Sequence, residues 1–241
     1  MIDVIRTRKK LFMVCGSLIV VLILFIYLVF RYEIKEIHVT GNEIVSEEEI
    51  VANYTGGPLG NNKLVIMAKD RLEAFDDIPF IRDYDITFEE GKMNIQVYEK
   101  ALVASFYYMG QYVFFDKDGV ILETASNSVA EIPCIEGVDF LNFSMNSKIQ
   151  LKNDEQIKMI LDIAELIKHY SLNAQTVKFD NNLEVTLCCD GVNVLLGKKE
   201  MYDQQIASVS EVLEQIKGKD IKGTIDMKNY TQGDKIILKQ Q

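Results

Sequence analysis

Histidine is scarce. The 241 residues hold two, His38 and His169, and neither sits in a motif. Nothing else supplies the missing chemistry: the chain has no G-x-S-x-G nucleophile elbow, no S-x-x-K and no H-E-x-x-H. Cysteine is also sparse. Cys15 falls in an apolar run, which leaves Cys134, Cys188 and Cys189, an odd number without metal-ligand spacing. Neighbouring residues of a strand face opposite ways, so Cys188 and Cys189 cannot readily grip one metal together; small buried side chains are the simpler reading. Positive charge is short where a nucleic-acid partner would need it. Residues 31–241 carry 22 basic and 35 acidic groups, a net of −13, and phosphate backbones are held by Lys and Arg. The sequence therefore predicts no nucleic acid, no metal, no cofactor and no enzyme.

What acidic motifs there are have structural explanations. Asp116 and Asp118 in "FDKDGVIL" resemble the start of a calcium loop, but the closing Glu of a twelve-residue EF-hand is missing, and a hairpin turn accounts for them. Glu47-Glu48-Glu49 reads as a first helical turn whose charge complements the helix dipole.

The dominant feature is "LFMVCGSLIVVLILFIYLVF", residues 11–30, twenty residues without a charge. As a helix it is ~30 Å long, the thickness of a bilayer's hydrocarbon core. Arg6, Arg8, Lys9 and Lys10 precede it, which predicts that residues 1–10 stay cytoplasmic. The run exceeds a signal-peptide core and closes on "YLVFRYE", without the small residues of a cleavage site. A retained single-pass anchor is expected, with the rest of the chain extracytoplasmic.

Beyond it, Ile37 and Val39 alternate with polar neighbours, Gly41-Asn42 marks a turn, and Ser46 with Glu49 forms a capping box. The Gly-rich loop "YTGGPLGNN" lacks the ending of a phosphate cradle. A helix is expected around Met67–Phe75, stopped by Ile78-Pro79. "RDYDITFEE" and "MNIQVYEK" then flank Gly91-Lys92 as a hairpin. The order strand, helix, helix, strand, strand suits a three-stranded sheet covered by two helices. Further on, Ile157, Ile160, Leu161, Ala164 and Ile167 share a helical face behind a cap at Asn153 or Asp154. A second stripe runs through Tyr202, Ile206, Val209, Leu213 and Ile216 to a stop at Gly218. "TVKFD", "LEVTLCC", "VNVLLG", "GTIDMK" and "DKIILK" read as strands.

This order, with "IHVTGNEIVSEEEI", "IPFIRDYDI", "VYEKALVASF", "IPCIEGVDF" and the closing region from "VNVLLG" to "TIDMKNY", resembles the FtsQ/DivIB cell-division proteins. The resemblance implies an α+β chain: a transmembrane helix (11–30), a POTRA domain of β-α-α-β-β order (33–100), and a second α+β domain with a mostly antiparallel sheet (101–241). It further implies a non-catalytic scaffold at the division septum that binds FtsB (DivIC in some lineages) and FtsL and helps control the septal peptidoglycan synthase. The partner contact it points to is β-strand addition at the closing strands, here Lys228, Tyr230, Gly233, Lys235, Ile236, Ile237 and Leu238. An ordinary edge strand guarded by Lys235 and Lys239 fits the same residues. Two departures stand out: Leu102 replaces the family's proline after the third strand, and Lys228 stands where the family has Arg, giving a point charge in place of a fork. The competing assignment is a membrane-tethered POTRA protein of polypeptide transport or envelope assembly.

Overall fold

The apolar run is helical throughout. Helix α1 spans Ile2–Arg31 in a computed structural model that describes residues 2–219 and 221–240, with side chains from residue 13 on. The basic cluster at 6–10 therefore lies outside the described side chains. The stretch Met13–Arg31, of mean hydropathy 2.9, is long and apolar enough to cross a membrane, and none of it is buried inside the protein. A backbone that bonds only to itself is what a hydrocarbon environment demands.

The chain divides into two compact units, Met1–Glu99 and Lys100–Gln241. After α1 the first contains β1 (Glu36–Thr40), α2 (Glu47–Thr55), α3 (Lys63–Arg71), β2 (Ile81–Glu89) and β3 (Lys92–Glu99). Strand β3 is central, parallel to β1 and antiparallel to β2. Its alternation buries Met93, Ile95 and Val97 against Ile50, Tyr54 and Ile66 of the two helices. Ser46 caps α2 by accepting from the Glu49 amide at 3.3 Å.

Two local expectations shift. The hairpin turn is Glu90-Gly91, with Gly91 at φ 71° and Lys92 already the first residue of β3, paired with Glu89. Helix α3 begins four residues before Met67, because the Asn62 carboxamide accepts from the Leu64 amide at 3.0 Å and starts it there.

In the second unit the strands are β4 (Leu102–Tyr108), β5 (Gln111–Asp116), β6 (Ile121–Ala125), β7 (Cys134–Glu136), β8 (Phe140–Asn142), β9 (Gln150–Leu151), β10 (Thr176–Phe179), β11 (Val185–Cys189), β12 (Val192–Gly197), β13 (Gly223–Asp226) and β14 (Leu238–Gln240). Helix α4 (Asp154–His169) precedes β10, and α5 (Asp203–Ile216) joins β12 to β13. Nine of the strands form one sheet in the order β14-β13-β12-β11-β10-β7-β4-β5-β6, and β8 pairs with β9 apart from it. The large sheet is mostly antiparallel; the parallel pairs are β12–β13, β10–β7 and β7–β4. Both helices are amphipathic and bury one stripe in the same core as the sheet: Ile160, Ile163 and Ile167 of α4, and Ile206 and Val209 of α5. Asn153 caps α4, accepting from the Glu155 amide at 3.0 Å. Gly218, at φ 75°, follows the end of α5. The chain is thus α+β, an N-terminal apolar helix followed by two units, each built on one main sheet with two helices.

Candidate functional site

A nine-stranded open sheet has two edges, and this chain treats them differently. At the β6 edge the Ile121 amide donates to the Ser147 carbonyl at 3.0 Å, and the Ile121 carbonyl accepts from Asn146 at 2.8 Å. The Thr124 amide is held by the Glu123 carboxylate at 3.0 Å, and Glu123 is anchored in turn by Lys100 at 2.6 Å. A bulge between Phe114 and Phe115 breaks the register. Covering chain, charge and bulge are the devices that close an edge to further strands.

Among the described residues the β14 edge carries no such cover. Its orientation follows from alternation along β13. The Gly223 and Met227 amides donate toward β12, to Gly191 at 3.3 Å and Leu195 at 2.9 Å. Thr224, between them in phase, faces β14, where its register partner is Lys239. The amide and carbonyl groups of Leu238 and Gln240 then point away from the sheet. Among the described residues no further strand pairs there.

Two buried features hold β13 in place for this. Gln205, 4% exposed, donates through Nε2 to the Met227 carbonyl at 2.7 Å and the Leu196 carbonyl at 3.2 Å, tying α5 to the ends of β12 and β13. Gly223 lets β14 approach: a Cβ there would fall on the Lys239 carbonyl oxygen, with the carbonyl carbon at 3.0 Å and Leu238 Cδ1 at 3.1 Å. Its φ is not left-handed, so closeness alone requires the glycine. Sequence reasoning passed over both. A polar residue beside the α5 stripe and a glycine opening a strand were the available signals.

The residues singled out from sequence divide into two groups. Lys228 is committed inside the unit: its ammonium pairs with Glu184, which holds the lysine pKa above its ordinary value, and its stem packs where Gly197, at φ 71°, leaves room. Tyr230 donates to the Ser208 hydroxyl of α5 at 2.9 Å. Gly233, at φ 99°, makes a turn closed by the Asp234 amide on the Thr231 carbonyl at 3.0 Å. The Asp234 carboxylate accepts from the Thr231 hydroxyl and amide, which lower its pKa. Lys235, Ile236, Ile237 and Leu238 follow as extended chain. Ile236 and Leu238 pack on the core, while Lys235 and Ile237 are exposed, Ile237 to 58%. Regular pairing starts only at Leu238, so the expected strand "DKIILK" is shortened at its front. The Asp234 turn delivers the chain to the edge late.

The other candidates resolve into structure. The Asp116 carboxylate accepts from the amides of Asp118 at 2.9 Å and Val120 at 2.8 Å, an Asx-type turn between β5 and β6. Cys134 and Cys188 both stand opposite Thr176, on strands either side of β10. Two strand spacings, about 9.6 Å, exceed the reach of a disulfide, and all four cysteines are free. Burial pushes the Cys189 thiol up to about 12. His38 lies 3.8 Å from Glu36, which Lys92 also engages at 2.6 Å. Among the described residues no group of three or more His, Cys, Asp or Glu side chains could hold a metal ion.

No family model matches the chain. It is similar to the cell division protein DivIB of Clostridium acetobutylicum, 25% identical over 201 residues that cover 81% of this chain and 79% of that protein. The similarity supports a role in cell division. A similarity of this length, beside the apolar N-terminal helix and the two successive α+β units, supports an FtsQ/DivIB-type reading of the chain.

Proposed function

We propose that this protein is a non-catalytic, single-pass scaffold of the bacterial division machine that binds FtsB/DivIC-like and FtsL-like partners by β-strand addition at β14, and so helps control septal peptidoglycan synthesis. In this reading α1 crosses the membrane with its N-terminus cytoplasmic, the first unit is a POTRA domain, and both units lie outside. The observation that carries the proposal is the contrast between the sheet's edges: β6 is closed, while Leu238 and Gln240 of β14 direct their peptide groups outward. An extended partner segment there gains main-chain hydrogen bonds, and Ile237 with Lys235 and Lys239 supplies side-chain selectivity. Confinement of all parties to one membrane raises their effective concentration, so a short ladder suffices.

The test is photo-cross-linking in dividing cells from positions 235 and 237, with Gln240→Pro as the edge-blocked variant. Proline there removes an outward donor and leaves the Thr224–Lys239 pairing intact. Capture of an FtsB/DivIC-like protein that Gln240→Pro abolishes is the expected result. Undiminished capture by the proline variant would refute strand addition at β14. A fluorescent fusion spread evenly around the envelope would refute the septal assignment.

A further inference from the structure

The end of α1 is built into the first unit without a linker, and Asn62 makes the joint. This residue is 6% exposed. Its Nδ2 donates to the Val29 carbonyl at 3.0 Å, an acceptor that a helix leaves unpaired at its C-terminus, and at 3.4 Å to the Leu28 carbonyl, which also takes the Tyr32 amide at 3.3 Å. Its Oδ1 accepts from Leu64 and opens α3. The Lys63 amide donates to the Tyr32 carbonyl at 2.8 Å, and the Ile34 amide to the Asn61 carbonyl at 2.7 Å. One side chain thus closes the apolar helix and starts the next, and residues 61–64 sit level with residues 28–34.

That level has a physical meaning if α1 spans the bilayer, and the inference rests on that reading. The nineteen residues Met13–Arg31 rise about 28 Å, close to the full hydrocarbon thickness. Asn61–Leu64 then lie in the headgroup layer. What the protein exposes there suits lipid better than water: Phe30 is 73% exposed, Leu59 42% and Leu64 41%. A recess of about 350 Å³ opens between Val29, Phe30, Leu59 and the neighbouring loop, with Glu33 on its rim. Cations accompany the apolar groups. The Arg31 guanidinium lies 5.8 Å from the Tyr32 ring and the Lys63 ammonium 5.1 Å from the Phe88 ring. Neither has a carboxylate within ion-pairing distance among the described residues. Apolar side chains beside aromatic-backed cations are the composition of a membrane-interface surface.

We propose that the 56–61 loop and the first turn of α3 form a lipid-contacting foot, in which Leu59 and Leu64 enter the acyl boundary of the outer leaflet and Arg31 and Lys63 meet phospholipid phosphates. The chain has no tryptophan, so single-tryptophan reporters in the full-length protein read this directly. Leu59→Trp and, in mid-helix, Leu22→Trp are placed in nanodiscs. The discs carry lipids brominated near the headgroup end of the acyl chain or at mid-chain. The expected result is severalfold quenching of Leu59→Trp by the shallow bromine and of Leu22→Trp by the deep bromine. In Leu59→Trp, adding Lys63→Glu is expected to weaken the shallow quenching in discs of anionic phospholipid. Free inorganic phosphate is expected not to compete. A quenched Leu22→Trp beside an unquenched, solvent-like Leu59→Trp overturns the foot and leaves the anchor standing; two unquenched reporters overturn the anchor itself. Shielding of Leu59→Trp only after a protein partner is added would assign the surface to that partner and also overturn the proposal. Quenching unchanged by Lys63→Glu overturns the phosphate contact.

Discussion

Replacing Gly223 with alanine separates a close-contact argument from a conformational one. Within a strand, Gly→Ala ordinarily stabilises by about 0.5–1 kcal/mol, because alanine loses less backbone freedom on folding. Here the sign reverses. The added methyl would overlap the Lys239 carbonyl oxygen and press on its carbon at 3.0 Å and on Leu238 Cδ1 at 3.1 Å. One strand has to yield, and β13 is the better held, being paired with β12 along four residues and tied by Gln205. Strand β14 spans three residues at the border of the sheet. Its docking rests on the Thr224–Lys239 pair and the half-buried Leu238. Two backbone hydrogen bonds at about 1 kcal/mol each and about 1 kcal/mol of apolar burial give roughly 3 kcal/mol. Losing that should raise exchange of the Thr224 and Lys239 amides about a hundredfold, while the Ile225 amide, directed at β12, keeps its protection. Hydrogen exchange resolved to single amides, alongside a thermal melt, makes the measurement. A Gly223→Ala protein with higher Tm and undiminished protection at Thr224 and Lys239 would refute the reasoning.

Two further outcomes follow from buried groups. Gln205→Leu leaves the Met227 and Leu196 carbonyls without their side-chain donor; it should destabilise the second unit by about 1–3 kcal/mol in urea unfolding, and an unchanged midpoint would dismiss the tie. Cys189 has a folded pKa raised from 9.0 to about 12 by burial, so the folded state holds the neutral thiol. The associated stability is complete below pH 9 and is lost as the pH rises toward 12, at up to ~1.4 kcal/mol per pH unit. The stability difference between the parent and Cys189→Ala should therefore shrink from about pH 8 to about pH 11, with tyrosine ionisation common to both proteins; a constant difference would exclude the thiol as the cause.

Much of the architecture is local, and local features were readable. Charge-free length marked α1, Ser46 and Asn153 marked helix starts, and alternation along "MNIQVYEK" marked the centre of the first sheet. What escaped is what depends on distant partners. Helix α3 starts early because Asn62 is fixed by carbonyls more than thirty residues upstream, and no window around Met67 contains that information. Strand β7 enters the large sheet between β4 and β10, parallel to both, although its three residues carry no pattern that names their neighbours. At the candidate edge, the sequence marked the segment from 228 to 238 without its division of labour. Lys228 and Tyr230 carry polar side chains that could serve a partner, yet Glu184 and Ser208 hold them within the unit. Gly223 and Gln205, which set the edge in position, have side chains that signal nothing until the approach of β14 and the ends of β12 and β13 are known.

The two borders of the large sheet make the strongest physical case, because they occur in one chain under one solvent. An unpaired strand border invites association, and a sequence can suppress it with a bulge, a carboxylate on the free amide or a covering segment. All three operate at β6. Among the described residues β14 is short and uncovered, with exposed Ile237 just before it and Lys239 on it. Lysines discourage indiscriminate pairing but do not remove donors or acceptors, so they select among partners where a bulge would refuse them all. Selection matters most when encounters are frequent. Under the proposed membrane confinement of protein and partners those encounters would be constant, and a border that is charged, short and open would bind the strand that complements it while resisting copies of itself.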